Sequence, residues 1–233
     1  MRTILLAALA ACLAALPAAA LTIRPDRDDA EYLELATRYP SSVALNLPDG
    51  GEGVLIAPRW VLTTAQRAKS LQEAKPVPRL RFGEDEHEIQ AFFVKDVALI
   101  LLRKAVRGVE PSRLYRDNDE NGKTVAIVGH GNADRKKRAA INTVERVEAR
   151  TLGLRVKPLD DASDLQGAAA PGDVGAPVFI EAPAGIFVAG ILSSIAGDWE
   201  TYARVSAFVP WIEATMLDVA AKEAAALMDP DRR

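Results

Sequence analysis

Adjacent hydroxyls at Thr63-Thr64 and Ser193-Ser194 could in principle attack a carbonyl, and His87 and His130 are the only imidazoles in the chain. A hydroxyl becomes a nucleophile only beside a base that takes its proton near neutral pH. Neither hydroxyl pair has such a base in the sequence around it. His87 stands in the charged run "EDEHE" and His130 in "VGHG", and both read as ordinary surface histidines. One basic cluster, "DRKKR" from Asp134 to Arg138, carries no aromatic residue, so it reads as a solvated loop tip and not as a nucleic-acid patch.

The elements that would position these residues are mostly strands. From Ser41 onward, short apolar runs alternate with turn residues, as in "SVALNL", "VLIA", "TVAIVG" and "LGLRV". "RLRFGEDEHEIQAFFV" reads as a hairpin around Gly83 to Glu86, and "APVFIEAPAGIFVAGILS" as one turning at Ala182 to Gly185. Two all-β halves follow, joined near "PSRLYRDNDENG". The tail from Ser206 to Met228 changes to helical spacing, with Phe208, Ile212, Met216 and Val219 on one face and Pro210 early in the run.

The first 20 residues give Arg2, an apolar run and Ala18-x-Ala20, the pattern of a secretory signal removed after Ala20. A lipoprotein site at Cys12 is the weaker reading, because the residues after it stay apolar. Cys12 is the only cysteine, so the mature chain is expected to hold no disulfide. Without the leader, 28 basic residues face 32 acidic ones, a formal charge of -4, which argues against nucleic acid as a partner. No later stretch is apolar for long enough to span a membrane.

Three segments, in order, resemble the trypsin-like (chymotrypsin-fold) serine peptidases: "LIAPRWVLTTAQ", Leu55 to Gln66; "DVALILL", Asp96 to Leu102; and "GDVGAPVF", Gly172 to Phe179. "GILSS" at Gly190 to Ser194 resembles the strand that lines the substrate cleft. "YARVSAFVPWIE" at Tyr202 to Glu213 resembles the last strand entering the terminal helix, and "VGHG" stands where the family has Gly-Trp-Gly. The resemblance implies two antiparallel six-stranded β-barrels and a C-terminal helix. Their bounds would be about residues 24–115, 120–205 and 206–228 within a peptidase domain of 21–233.

The resemblance maps the family's aspartate to Asp96, its histidine to Gln66 and its serine to Val174. Valine has no lone pair, and the glutamine amide takes up no proton near pH 7, so no catalytic residue set is intact. In the family the aspartate is buried, which leads to the expectation that Gln66 offers its amide to Asp96. Further positions follow from the same register: oxyanion-hole equivalents at the backbone of Gly172 and Val174, and a structural carboxylate at Asp173. The specificity pocket would be lined at Ala168, Ser193 and Ile195, with Glu200 as an inward-pointing addition. Asp173 would meet a freed N-terminus or, failing that, an arginine such as Arg24. Some members bind calcium between the histidine and aspartate segments, but here that interval is short, and neither metal nor cofactor is expected. The implied function is an exported, inactive homologue that holds a peptide or another protease in its cleft. The alternatives are a peptidase of residual or unconventional activity and a decayed copy without a selected role.

Overall fold

The computed structural model describes residues 21–131, 134–158, 162 and 164–228; the expected leader and Cys12 lie outside them. The strands are β1 (Thr22–Ile23), β2 (Ser42–Ala44), β3 (Glu52–Ala57), β4 (Trp60–Thr64), β5 (Leu80–Phe82), β6 (Asp85–His87), β7 (Ile89–Val94) and β8 (Val97–Leu102). They continue with β9 (Arg113–Leu114), β10 (Thr124–Gly129), β11 (Arg138–Val147), β12 (Thr151–Arg155), β13 (Gly167–Ala168), β14 (Pro177–Ala182), β15 (Gly185–Ala196) and β16 (Trp199–Arg204). The helices are α1 (Asp29–Ala36), α2 (Ala65–Glu73) and α3 (Val209–Met228).

In the C-terminal half the strands run β14-β10-β11-β12-β16-β15, and β15 pairs back onto β14, which closes a six-stranded antiparallel barrel. The connector strand β9 joins the outside of β15 in parallel. The N-terminal half is a five-stranded antiparallel sheet, β2-β3-β4-β8-β7, with β5-β6 as a separate hairpin, so strand pairing does not close the second barrel expected there. The hairpin strands are only three residues each and pair with one another. What joins them to the sheet is packing: Leu80 and Phe82 share a core with Val43, Leu45, Leu55, Val61, Ile100 and Leu102.

The period of two along the strands explains their nearly continuous apolar runs. On β10, Val125 and Ile127 face the inside of the closed barrel, while Ala126 and Val128 face a second core shared by both halves. On β8, Leu99 and Leu101 enter the shared core, and Ile100 and Leu102 enter the N-terminal one. Strands buried on both faces have no polar alternation to show. Helix α3 caps the shared core through Val209 and Ile212, and its far turn is tied down where Glu223 accepts from Arg59 at 2.8 and 3.0 Å. No helix among the described residues is long and apolar enough to cross a membrane.

Two helices absent from the sequence reading are explained by their caps. Asp28 accepts from Ala30 N–H and Glu31 reaches back to Asp28, a capping box that starts α1, and Tyr32 then docks by donating to the Gln166 carbonyl at 3.0 Å. Thr64 caps α2 by accepting from Arg67 N–H at 3.2 Å. The basic cluster is a correction to the expected solvated tip. Arg138 is buried and donates to Asp29 and Asp134, and Lys137 donates to the carbonyls of Tyr39 and Ser42.

His87 is likewise not a surface histidine: it is 7% exposed, lies edge-on to Phe82, and its Nε2 is buried without a hydrogen-bond partner. An unsatisfied buried polar atom weighs against the fold. His87→Leu is therefore expected to keep or raise stability, by about 1 kcal/mol, which urea denaturation will read. A loss of that size or more would show that the imidazole has a role the geometry does not reveal.

Candidate functional site

Three segments named by the sequence converge at the end of β4. Thr64 pairs with Val97 across β4 and β8, so Gln66, just inside α2, and Asp96, just before β8, flank the same sheet end. The turn holding Val174 is a single 3-10 turn, Pro171–Asp173, followed by Gly175 at φ +97°. It is fastened from two sides. Gly51 and Glu52 donate their N–H groups to the carbonyls of Gly172 (2.8 Å) and Val174 (3.0 Å), and Gly175 donates to Leu192 (2.8 Å).

The side chains at these positions do not form the arrangement expected of them. Asp96 is not buried: its side chain is 56% exposed and meets Arg150 at 2.9 Å. Arg150 also lies over the Phe208 ring at 4.9 Å, so Asp96 is claimed by a cation from the other half of the molecule. Gln66 is exposed on the first turn of α2, and its backbone carbonyl accepts from Ser70. Val174 is half-buried in extended backbone at φ −53° and ψ 126°.

Asp173 is fully buried, and the expected partnership with Arg24 is corrected. Its two oxygens accept from the N–H groups of Gly131 and Ala170, each at 2.8 Å, whereas Arg24 donates to Asp26 at 2.9 and 2.7 Å. Gly129 leaves room for this carboxylate, since a Cβ there would stand 2.5 Å from Asp173 Oδ1. Burial, followed by the nearby Glu52 charge, pushes Asp173 up to about 7. The N-terminal residues lie close by in the fold: Thr22 pairs with Ala168 and Ile23 with Gly167. Continuing that register by one residue brings buried Leu21 level with Ala169, next to Ala170, the donor to Asp173.

The specificity-pocket positions are occupied by the chain itself. Glu200 does point inward. It is 1% exposed, accepts from Ala169 N–H at 2.5 Å and from the Tyr202 hydroxyl at 2.6 Å, and burial pushes its carboxyl up. Ala168 is half-buried in β13, Ile195 packs against the barrel core, and exposed Ser193 spends its hydroxyl on the Thr201 carbonyl at 2.8 Å. A groove of about 860 Å³ lies elsewhere, between β9, the β14-β15 hairpin and α3, and none of the site positions lines it. Among the described residues, no group of three or more His, Cys, Asp or Glu is placed to hold a metal ion.

Sequence reasoning missed Glu52. Its carboxylate, 1% exposed, accepts from His130 N–H at 2.9 Å and meets His130 Nδ1 at 2.8 Å. His130 is thus a positioned, half-buried histidine whose ring is held by a carboxylate, and it belongs to the underside of the turn. The available signal was a lone glutamate opening the apolar strand β3, "GEGVLIA".

The fold agrees with what comparison finds. Residues 34–212 match the Trypsin family. No curated protein matches the chain. Among solved structures, the scabies mite inactivated protease paralogue S-I1 superposes with a TM-score of 0.60 at 15% identity, covering 78% of this chain and 96% of its own, a likeness of fold. With the family matched across both halves and its β-barrel, terminal helix and turn all in place, the chain belongs to the trypsin family.

Proposed function

We propose that this trypsin-family chain is exported and hydrolyses no peptide bond, and that it acts by holding a peptide or a protein partner. The observation that carries the reading is the state of the three positions at the end of β4: an amide at Gln66, a methyl-bearing side chain at Val174, and Asp96 turned to Arg150. Acyl transfer needs a hydroxyl, an imidazole and a carboxylate that orients it. None of the three roles is filled here. The remaining imidazoles supply no substitute among the described residues: His87 is buried with Nε2 unbonded, and His130, although held by Glu52 through Nδ1 as a catalytic base would be, has no hydroxyl bonded to its ring.

Export rests on the leader pattern of residues 1–20, and a periplasmic or extracellular address follows from it. The solved neighbour is named an inactivated protease paralogue, a precedent for this fold without activity.

The test is hydrolysis of a fluorogenic peptide library by the mature protein. The wild type is expected to be silent. Gln66→His with Val174→Ser is expected to stay weak while Arg150 holds Asp96. Adding Arg150→Ala, which frees the carboxylate to orient a new imidazole, is expected to raise the rate at least about tenfold, as restoring a charge partner does. Wild-type cleavage that survives repurification would favour the alternative, a peptidase of unconventional mechanism.

A further inference from the structure

Two buried carboxylates from the two halves of the molecule accept from adjacent residues, Glu52 from His130 N–H and Asp173 from Gly131 N–H. Glu52 sits on β3, directly below the turn that its own backbone N–H fastens. Asp173 sits inside that turn with no exposed surface. Their fixed partners differ. Glu52 is anchored through His130 N–H and Nδ1, and Asp173 is met by the backbone N–H groups of Gly131 and Ala170. Like charges brought together out of water repel strongly unless a cation joins them.

The other charged or titratable groups facing this pair come from every element around it. Lys137, before β11, is drawn toward Glu52, but its Nζ is spent on the Tyr39 and Ser42 carbonyls and burial holds it down to about 8. Arg135 lines a cleft of about 20 Å³ beside His130. Arg67 lies over Gly51 and is paired with Asp49 at 2.5 Å. On the barrel side, Tyr202 feels the Asp173 charge, and its hydroxyl donates to Glu200. Among the described residues, no cationic side chain is bonded to Asp173.

We propose that Glu52 and Asp173 form a pH-sensitive latch on the turn of residues 171–175: with a proton on Asp173 the turn stays clamped to β3, and with both carboxylates ionised it loosens. The bonds at stake are those from Gly51 to Gly172 and from Glu52 to Val174, the only backbone ties of the turn to the N-terminal half among the described residues. Asp173 takes the proton: burial, then the Glu52 charge, push it up to about 7, against the pull of its two backbone N–H partners and of His130. A folded value above the ordinary 3.8 gives a contribution that is complete below that pH and is lost as pH rises through about 7. The latch does not depend on whether the chain cleaves peptides.

Amide hydrogen exchange of the full chain, corrected for intrinsic exchange rates, tests it between pH 5.5 and 8.5. The amides of Gly51 and Glu52, which donate those two bonds, are expected to lose protection at least about tenfold from pH 6 to 8 relative to those of β15 and β16, the ratio that one pKa unit of coupling gives. Glu52→Gln keeps both hydrogen bonds to His130, with the other ring tautomer, and removes the charge, so it is expected to abolish most of that change. Should Glu52→Gln fail to fold, Asp173→Asn carries the same test and is likewise expected to flatten the profile. Protection of the Gly51 and Glu52 amides that stays constant across this range, or an unchanged slope in the folded variant, overturns the latch.

Discussion

Gly175→Ala is expected to lower the unfolding free energy by about 4 kcal/mol, a loss reserved for a few mechanisms such as strain at a special backbone geometry. Two observations set this size. Gly175 sits at φ +97°, where L side chains rarely go, and its missing Cβ would fall within hard contact of the Glu52 backbone carbonyl and 2.8 Å from Thr63 Oγ1. Neither neighbour is free to retreat, because Thr63 Oγ1 donates to that same carbonyl at 2.6 Å. Relief requires lifting the turn off β3 and losing the bonds that place Val174. Gly197 provides the control: it also has positive φ, at +62°, but nothing lies where its Cβ would go, so Gly197→Ala is expected to cost only about 1 kcal/mol. Urea denaturation of both variants decides the matter, and equal, small losses would mean that the turn is not clamped as described.

Arg204→Ala is expected to cost about 3–5 kcal/mol, the range for stranding one partner of a buried ion pair. Glu120 in the connector is fully buried, and Arg204 at the end of β16 grips it with Nε at 2.8 Å and Nη2 at 2.7 Å, with Ser206 adding a hydroxyl at 2.9 Å. Against the penalty of burial, the guanidinium and the other hydrogen bonds hold the Glu120 carboxyl below its ordinary value. Its contribution is therefore present above about pH 4.5 and is lost as pH falls through the lowered value. In Arg204→Ala that acid-side dependence should disappear or reverse, because burial, the largest influence on Glu120, then pushes the stranded carboxyl up. Replacing both residues by methionine should recover most of the loss, because no charge is then left buried. Thermal melts at pH 3.5, 5 and 7 measure all three. A single variant as stable as the wild type would show that the pair contributes little.

Both effects depend on residues whose importance is unequally visible in the sequence. Gly175 could be singled out from "GDVGAPVF", since a turn of that composition needs positive φ and close backbone approach. The Arg204 pairing could not, because Glu120 lies 84 residues away and both are common surface residue types. The same division runs through the site. The hairpins at Gly83 and Ala182 to Gly185, the two β halves and the terminal helix could be read from alternation and turn residues, which act locally. Asp28 and Glu31 carry the signature of α1, a capping box that lies ahead of the strand alternation beginning at Ser41.

What the sequence by itself determined is composition at fixed points: strands of period two, a glycine where the turn must bend, and an amide, a carboxylate and a valine at Gln66, Asp96 and Val174. What only the tertiary structure decided is who meets whom. Asp96 faces Arg150, Asp173 faces backbone N–H groups and not Arg24, and His130 rests on Glu52, 78 residues away in the chain. The physical reason is that side-chain periodicity and turn chemistry are set by neighbouring residues. The partner and ionisation of a buried charge are set instead by whichever distant segments the closed barrel and the shared core bring into the same dry space.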